Sequence, residues 1–159
     1  MTQNSTQNQQ ATHATLVFER ELLAPVEVVF AAYADASVRA KWSAPSGDTI
    51  VYDHDEFREG CQDRFRCGPK ANPNIYGTTH YWEIALNSRI VSTEMLLMDG
   101  MKLAVSLNSI EFAELGNATR LKHTVQIVSF AGQDMVQGYA DGNNGALNGL
   151  ARYLRRSDP

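Results

Sequence analysis

Between residues 49 and 130 the sequence is a succession of short segments in which apolar and polar residues alternate, with turn-forming residues between them. The alternation predicts six strands, at residues 49–57, 61–67, 75–86, 89–98, 102–112 and 120–130. Breaks such as Asp99-Gly100 are too short for the crossover of about a dozen residues that parallel strands need. The strands are therefore expected to follow one another as antiparallel hairpins.

The segment before this series predicts one further strand and two short helices. Residues 16–22 alternate and predict the strand. Pro25 suits the first turn of a helix, where its missing N–H costs nothing. Asp35 is a plausible cap for a second short helix that runs to Lys41.

Residues 133–156 predict one long amphipathic helix, because its larger side chains recur every three or four residues. The stripe consists of Met135, Tyr139, Asn143, Ala146, Leu147, Leu150 and Leu154. A sheet of about six to seven strands has one apolar face to cover, and this helix is the element that can cover it. The fold class predicted is therefore α+β.

Composition and charge exclude several classes of protein. With 159 residues the chain predicts one domain, and its formal net charge of -4, with no Lys/Arg cluster outside the last turn of the C-terminal helix, argues against nucleic-acid binding. No apolar run approaches the ~20 residues of a membrane span. The N-terminus has no secretory pattern, so we expect a cytoplasmic protein. Residues 1–14 are too polar to offset their ordering entropy, which predicts a disordered tail before a domain at residues 15–156.

The sequence gives little support for a metal centre or a disulfide. Asp53, His54, Asp55 and Glu56 are adjacent, but on a strand they alternate between two faces and cannot converge on one ion. The two cysteines are expected to be reduced thiols in the cytoplasm. We also find no glycine-rich phosphate loop and no nucleophile-elbow pattern, so we predict no metal and no cofactor.

Several motifs occur in an order that resembles one known superfamily. They are the run at residues 24–33, Trp42 with Pro45 and Gly47, Arg58-Glu59-Gly60-Cys61, Tyr81-Trp82-Glu83-Ile84 followed by Arg89-Ile90-Val91, and Gly142 with Leu147, Leu150, Tyr153 and Leu154. From Phe18 to Leu154 the chain resembles the SRPBCC/START-like superfamily, and within it the heat-shock chaperone ATPase activator homologue (AHSA-like) family.

The resemblance implies a helix-grip fold, in which a curved antiparallel sheet wraps the C-terminal helix and leaves a cavity between them. Members bind apolar ligands or act as cyclases or hydrolases, and the fold does not choose among these. Two residues depart from the pattern: Asn143 occupies the usual place of a Trp, and Cys61 replaces a glycine. A full-length chaperone activator also has a separate N-terminal domain, so we do not expect a chaperone partner.

Four glycines form a second stripe on the C-terminal helix, at Gly138, Gly142, Gly145 and Gly149. Each glycine inside a helix costs ~1 kcal/mol relative to alanine, so stability alone does not explain them. Either the helix packs closely against a neighbouring backbone, or the missing side chains leave room for a ligand.

Two polar residues lie on predicted apolar faces. Asn143 interrupts the helical stripe, and its buried amide must bond to a strand, a water or a ligand. His123 shares a strand face with Leu121 and Val125, and it is either a satisfied core histidine or an acid or base of a pocket.

The inward face of the strand at residues 75–86 is ambiguous. His80 and Trp82 form one candidate inward row, and Tyr81 and Glu83 form the other. Glu83 is accordingly either a buried carboxylate or a solvated strand residue. Aromatic and methionine side chains could line a pocket as well as a core.

We predict a protein that binds a small apolar or aromatic molecule in an internal cavity without transforming it, as a monomer or homodimer. The ligand-binding residues predicted are Trp42, Phe65, His80, Trp82, Met95, His123, Met135, Tyr139, Asn143 and Leu147. One alternative is a cyclase- or hydrolase-like enzyme with His80 or His123 as general base. Another is an interaction module that modulates a chaperone ATPase.

Overall fold

The structure, a computed structural model, describes residues 10–156. Its elements in chain order are β1 (Thr12–Leu22), α1 (Val26–Ala34), α2 (Ala36–Trp42), β2 (Asp48–His54), β3 (Gln62–Pro69), β4 (Ile75–Ala85), β5 (Arg89–Met98), β6 (Met101–Leu115), β7 (Ala118–Ser129) and α3 (Gly132–Arg156). This order of strands and helices confirms the α+β helix-grip fold.

The seven strands form a single antiparallel sheet in the order β1-β7-β6-β5-β4-β3-β2. The predicted meander is therefore confirmed, and β1 joins it beside β7. Asp99 and Gly100 have φ angles of 52° and 75°, the pair of positive values that a type I′ hairpin turn requires. β2 ends at His54 rather than at the predicted Phe57, because the Glu56 amide donates to the Asp63 carboxylate (2.8 Å) instead of to a strand partner.

The N-terminal boundary was predicted too late in the chain. β1 begins at Thr12, and residues 12–14 pair with Ser129, Val128 and Ile127 of β7. The prediction of a disordered tail is wrong for these three residues, because strand pairing uses the backbone and does not need apolar side chains. Residues 1–9 of the predicted tail lie outside the described residues.

The long helix covers only part of the concave face of the sheet. α3 packs mainly on β1, β7 and α2, while α1 packs on β6 and β7. Leu150 and Leu154 of α3 are buried against a core that includes Phe18 and Leu121. The helix α3 therefore leaves the half of the concave face formed by β3, β4 and β5 uncovered.

Helix α2 is fixed by polar contacts at both ends. The Asp35 carboxylate accepts a hydrogen bond from the Ser37 amide (2.9 Å), which confirms the predicted cap. The Trp42 indole donates to the carbonyl of Ala32 in α1 (3.0 Å). Within residues 10–156, no helix is long and apolar enough to span a bilayer.

Candidate functional site

A cavity of about 370 Å³ lies between α3 and the half of the sheet that the helix leaves uncovered. Its volume is within the usual range for small-molecule sites, about 300–1,000 Å³. Most of the wall is apolar and comes from Trp42, Ile50, Phe65, Ile75, Ile90, Leu96, Ile110, Met135, Ala146 and Leu147. We call this space the central cavity.

Seven of the ten predicted ligand-binding residues line the central cavity: Trp42, Phe65, His123, Met135, Tyr139, Asn143 and Leu147. They come from α2, β3, β7 and α3, so the fold brings together residues that are far apart in sequence. The inward row predicted for β7 is confirmed, since Leu121, His123 and Val125 are all buried.

The other three predicted residues, His80, Trp82 and Met95, do not line the central cavity. Trp82 is 60% exposed; its indole lies 4.3 Å from the His80 ring and donates to Thr93 Oγ1. Tyr81, only 5% exposed, occupies the inward row instead. The choice of His80 and Trp82 as inward residues was wrong. Their row is the more hydrophobic of the two on β4, although it faces outward.

Glu83 is one of the residues whose environment the sequence left open. Its carboxylate forms an ion pair with Arg89 (2.5 Å), and its side chain is 40% exposed. The guanidinium holds the pKa of Glu83 below its usual range. Glu83 is therefore a solvated strand residue and contributes nothing to the central cavity.

One side of the central cavity carries a hydrogen-bonded polar cluster formed by Glu94, Ser106, Asn108, His123 and Tyr139. The Tyr139 hydroxyl donates to Glu94 Oε1 (3.1 Å) and lies 3.0 Å from Ser106 Oγ. The Asn108 amide donates to Ser106 Oγ (2.9 Å), and Asn108 Oδ1 lies 2.8 Å from His123 Nε2. Helix α3 and strands β5, β6 and β7 are thus linked across the site.

His123 is a neutral hydrogen-bonding group of this cluster. Burial lowers its pKa to about 4, so the imidazole is uncharged at neutral pH. Because Asn108 Oδ1 is an acceptor, the hydrogen bond assigns the proton to His123 Nε2. His123 is therefore both a satisfied buried histidine and a cavity-lining residue.

Glu94 is a cavity-lining residue that the sequence analysis did not single out. Burial raises the pKa of its carboxyl group above the usual range. Its hydrogen-bond partners are the hydroxyls of Tyr139 and, at 3.4 Å, Thr79. A charged residue between Thr93 and Met95 gave no indication of facing inward.

A second polar group on the cavity wall, also unforeseen, is a buried ion pair between Arg39 and Asp63. The guanidinium donates to the Asp63 carboxylate at 2.7 Å and to the Tyr52 hydroxyl at 2.9 Å. The Tyr81 hydroxyl also donates to Asp63. Because the charges of Arg39 and Asp63 cancel, this part of the wall is polar but electrically neutral.

The four glycines of the stripe on α3 have different environments. A Cβ at residue 149 would lie 2.3 Å from the Trp42 carbonyl oxygen, and one at residue 145 would lie 3.4 Å from Pro45 Cβ. Gly138 and Gly142 line the central cavity, and a Cβ at either would meet nothing within 4 Å. Close packing therefore explains Gly149, whereas a Cβ at residue 145 would be in ordinary van der Waals contact and Gly138 and Gly142 face open space beside the cavity.

Asn143 satisfies its amide within its own helix, where Nδ2 donates to the Tyr139 carbonyl (2.9 Å). This partner, a carbonyl of the same helix, is none of the three that the sequence analysis named, which were a strand, a water and a ligand. In the ranges that the structure describes, no three His, Cys, Asp or Glu side chains converge to hold a metal ion. Asp53, one of the four consecutive residues considered as metal ligands in the sequence, forms an ion pair with Arg66 (2.9 Å).

Comparison with known proteins identifies the fold and the family. The sequence matches the family described as activator of Hsp90 ATPase homolog 1-like protein over residues 23–155. A solved structure from Rhizobium leguminosarum is 26% identical, with a TM-score of 0.81 over 92% of this chain and 97% of its own. One from Rhizobium loti is 28% identical, with a TM-score of 0.80 over 90% and 98%. One from Chromobacterium violaceum is 23% identical, with a TM-score of 0.79 over 88% and 96%. No curated protein matches the sequence.

Proposed function

The chain belongs to the activator of Hsp90 ATPase homolog 1-like family, and from this premise we propose that it binds a small, largely apolar molecule in the central cavity without transforming it. The observation that carries the proposal is a wall with a large apolar surface and two confined polar groups, the polar cluster around Glu94 and the Arg39–Asp63 ion pair. In such sites apolar burial supplies affinity, while a few polar groups orient the ligand.

Burial against the apolar wall supplies the main favourable contribution to binding in this proposal. A ligand that loses roughly 250 Å² of apolar surface gains about 6 kcal/mol at about 25 cal/mol/Å². Association entropy opposes this gain by about 4 kcal/mol or more. Affinity therefore depends on how well the ligand fills the cavity and uses the polar cluster.

The chemistry of the nucleophilic and basic groups supports binding over catalysis. His123 Nε2 already donates to Asn108, and His80 lies on the outer face. Burial raises the pKa of the cavity-facing Cys67 to about 11, which keeps the thiol protonated at neutral pH. The described groups thus favour orienting a ligand over attacking one.

The two tryptophans provide a direct test of binding. Trp42 lines the central cavity and Trp82 is exposed on the outer face, so the Trp82→Phe variant leaves one reporter at the site. We expect small apolar and aromatic compounds to change Trp42 fluorescence saturably in this variant. The reciprocal variant, Trp42→Phe, should give no saturable signal.

A variant that fills the cavity tests the location of the ligand. Gly142→Leu places a side chain beside the central cavity, and Asn148→Leu adds the same side chain on the exposed face of α3. The first should weaken binding at least about tenfold, and the second should leave it unchanged. Equal binding in both variants, or no saturable signal from any compound, would contradict the proposal.

A further inference from the structure

The carboxyl group of Glu94 has unused hydrogen-bonding capacity inside the central cavity. A carboxylate offers about four acceptor positions. The contacts to Glu94 are one hydrogen bond from Tyr139 (3.1 Å) and a longer one from Thr79 (3.4 Å). Both donors are neutral hydroxyls, so neither compensates the charge of an ionised Glu94.

The charges that line the central cavity sum to an excess of negative charge. Arg39 and Asp63 neutralise each other at 2.7 Å, and burial keeps His123 uncharged at neutral pH. Asp48, at the beginning of β2, is the other carboxylate of the wall. Among the described lining residues, no cation is left to pair with Glu94.

The field of Glu94 acts on the groups that face it from three other elements. Burial is the main cause of the raised pKa of Tyr52 on β2, of Cys67 on β3 and of Tyr139 on α3, and the negative charge of Glu94 acts in the same direction on each. On Cys67 the Asp48 carboxylate acts in the same direction. The aromatic rings of the wall add negative ring faces, which also favour a cation.

We propose that the preferred ligand carries a protonated amine, which pairs with Glu94 while its apolar body fills the rest of the central cavity. This inference rests on the proposed binding function and names the class of its ligand. A bound ammonium supplies the positive charge that the wall lacks. An anion of the same shape is repelled, and a neutral ligand leaves the carboxyl without a counter-charge.

The pairing predicts a specific dependence on pH. Burial raises the pKa of Glu94 in the free protein, and a neighbouring ammonium lowers it again. Between these two values, binding of the cation releases a proton from Glu94. Affinity for an amine should therefore rise with pH up to the pKa of the free protein and then become constant.

Octylamine, octanol and octanoate form a matched set of probes for calorimetric titration, since they share an alkyl chain and differ in charge. We expect octylamine to bind at least about tenfold more tightly than octanol, and octanoate to bind most weakly. Glu94→Gln keeps the shape of the side chain and should reduce octylamine to the affinity of octanol. Glu114→Gln removes the same charge from an exposed position and should change nothing.

The outcomes separate this inference from the proposed function. If octanol binds as tightly as octylamine to the unmodified protein, the ammonium inference is overturned, whereas binding in the cavity is supported. If Glu94→Gln keeps the preference for octylamine, the inference is also overturned. If none of the three probes binds, the inference fails, and the fluorescence screen with Trp82→Phe then decides the proposed function.

Discussion

A Cβ atom on Gly149 would lie 2.3 Å from the carbonyl oxygen of Trp42, so the backbones of α2 and α3 are in contact at this point. Real Cβ atoms do not approach other heavy atoms so closely. The contact places Trp42 beside the central cavity and fixes the C-terminal half of α3. Gly142, two helical turns earlier, has no such neighbour.

The two glycines should therefore respond oppositely to alanine. We expect Gly149→Ala to lower the free energy of unfolding by about 1–3 kcal/mol, because a helix backbone must shift. Gly142→Ala should raise it by up to about 1 kcal/mol through helix propensity. Urea denaturation of both variants measures the difference. Equal effects would contradict the distinction between a closely packed Gly149 and an open Gly142.

Acid should destabilise the protein through His123. Its pKa falls from 6.5 to about 4 on folding, so the unfolded chain binds more protons between these values. The free energy of unfolding should decrease as pH falls from 6.5 to 4, by up to about 3 kcal/mol from this group. In His123→Gln this part of the pH dependence should disappear. His54→Gln, at a partly exposed histidine, is the control and should retain it.

Removal of one partner should distinguish the buried ion pair from an exposed one. Asp63→Asn leaves the buried Arg39 guanidinium without a counter-charge, and we expect a loss of about 3–5 kcal/mol in the free energy of unfolding. Asp53→Asn removes the same charge from the more exposed pair with Arg66 and should have little effect. Chemical denaturation at neutral pH checks both, and similar losses would show that Asp63 is not effectively buried.

The thiol of Cys67 should react slowly with alkylating reagents. Its pKa of about 11 leaves roughly a thousandth of the group as thiolate at pH 8. In the Cys61→Ser variant, which leaves Cys67 as the one thiol, the rate should rise steadily up to pH 10 and fall when a cavity ligand is present. A rate that is already constant at pH 8 would refute the shifted pKa.

The sheet and helices follow from local sequence signals. Asp99-Gly100 determines a hairpin wherever it is placed between alternating segments, and the stripe from Tyr139 to Leu154 determines a helix face. These signals act between neighbours in the chain. The early start of β1 at Thr12 depends instead on its pairing with Ser129 of β7, which no local pattern reveals.

The cavity residues of β4 and β5 could not be chosen from hydrophobicity. On β5 the outward row holds Val91 and Met95, whereas the inward row includes Ser92 and Glu94. On β4 an irregularity in register follows Tyr81, so simple alternation fails there. The inward row of β5 is apolar at Ile90 and Leu96 but polar at Ser92 and Glu94 between them, so hydrophobicity does not separate the two faces. For this reason Glu94 was missed and Trp82 was wrongly chosen.

Because α3 packs unevenly on the sheet, its two halves have different roles. Leu150 and Leu154 join the core, whereas Gly138, Tyr139 and Gly142 border the cavity. Substitutions in the N-terminal half of α3 can thus change ligand selectivity without destabilising the packing of its C-terminal half. Selectivity and folding robustness are free to evolve separately along a single element.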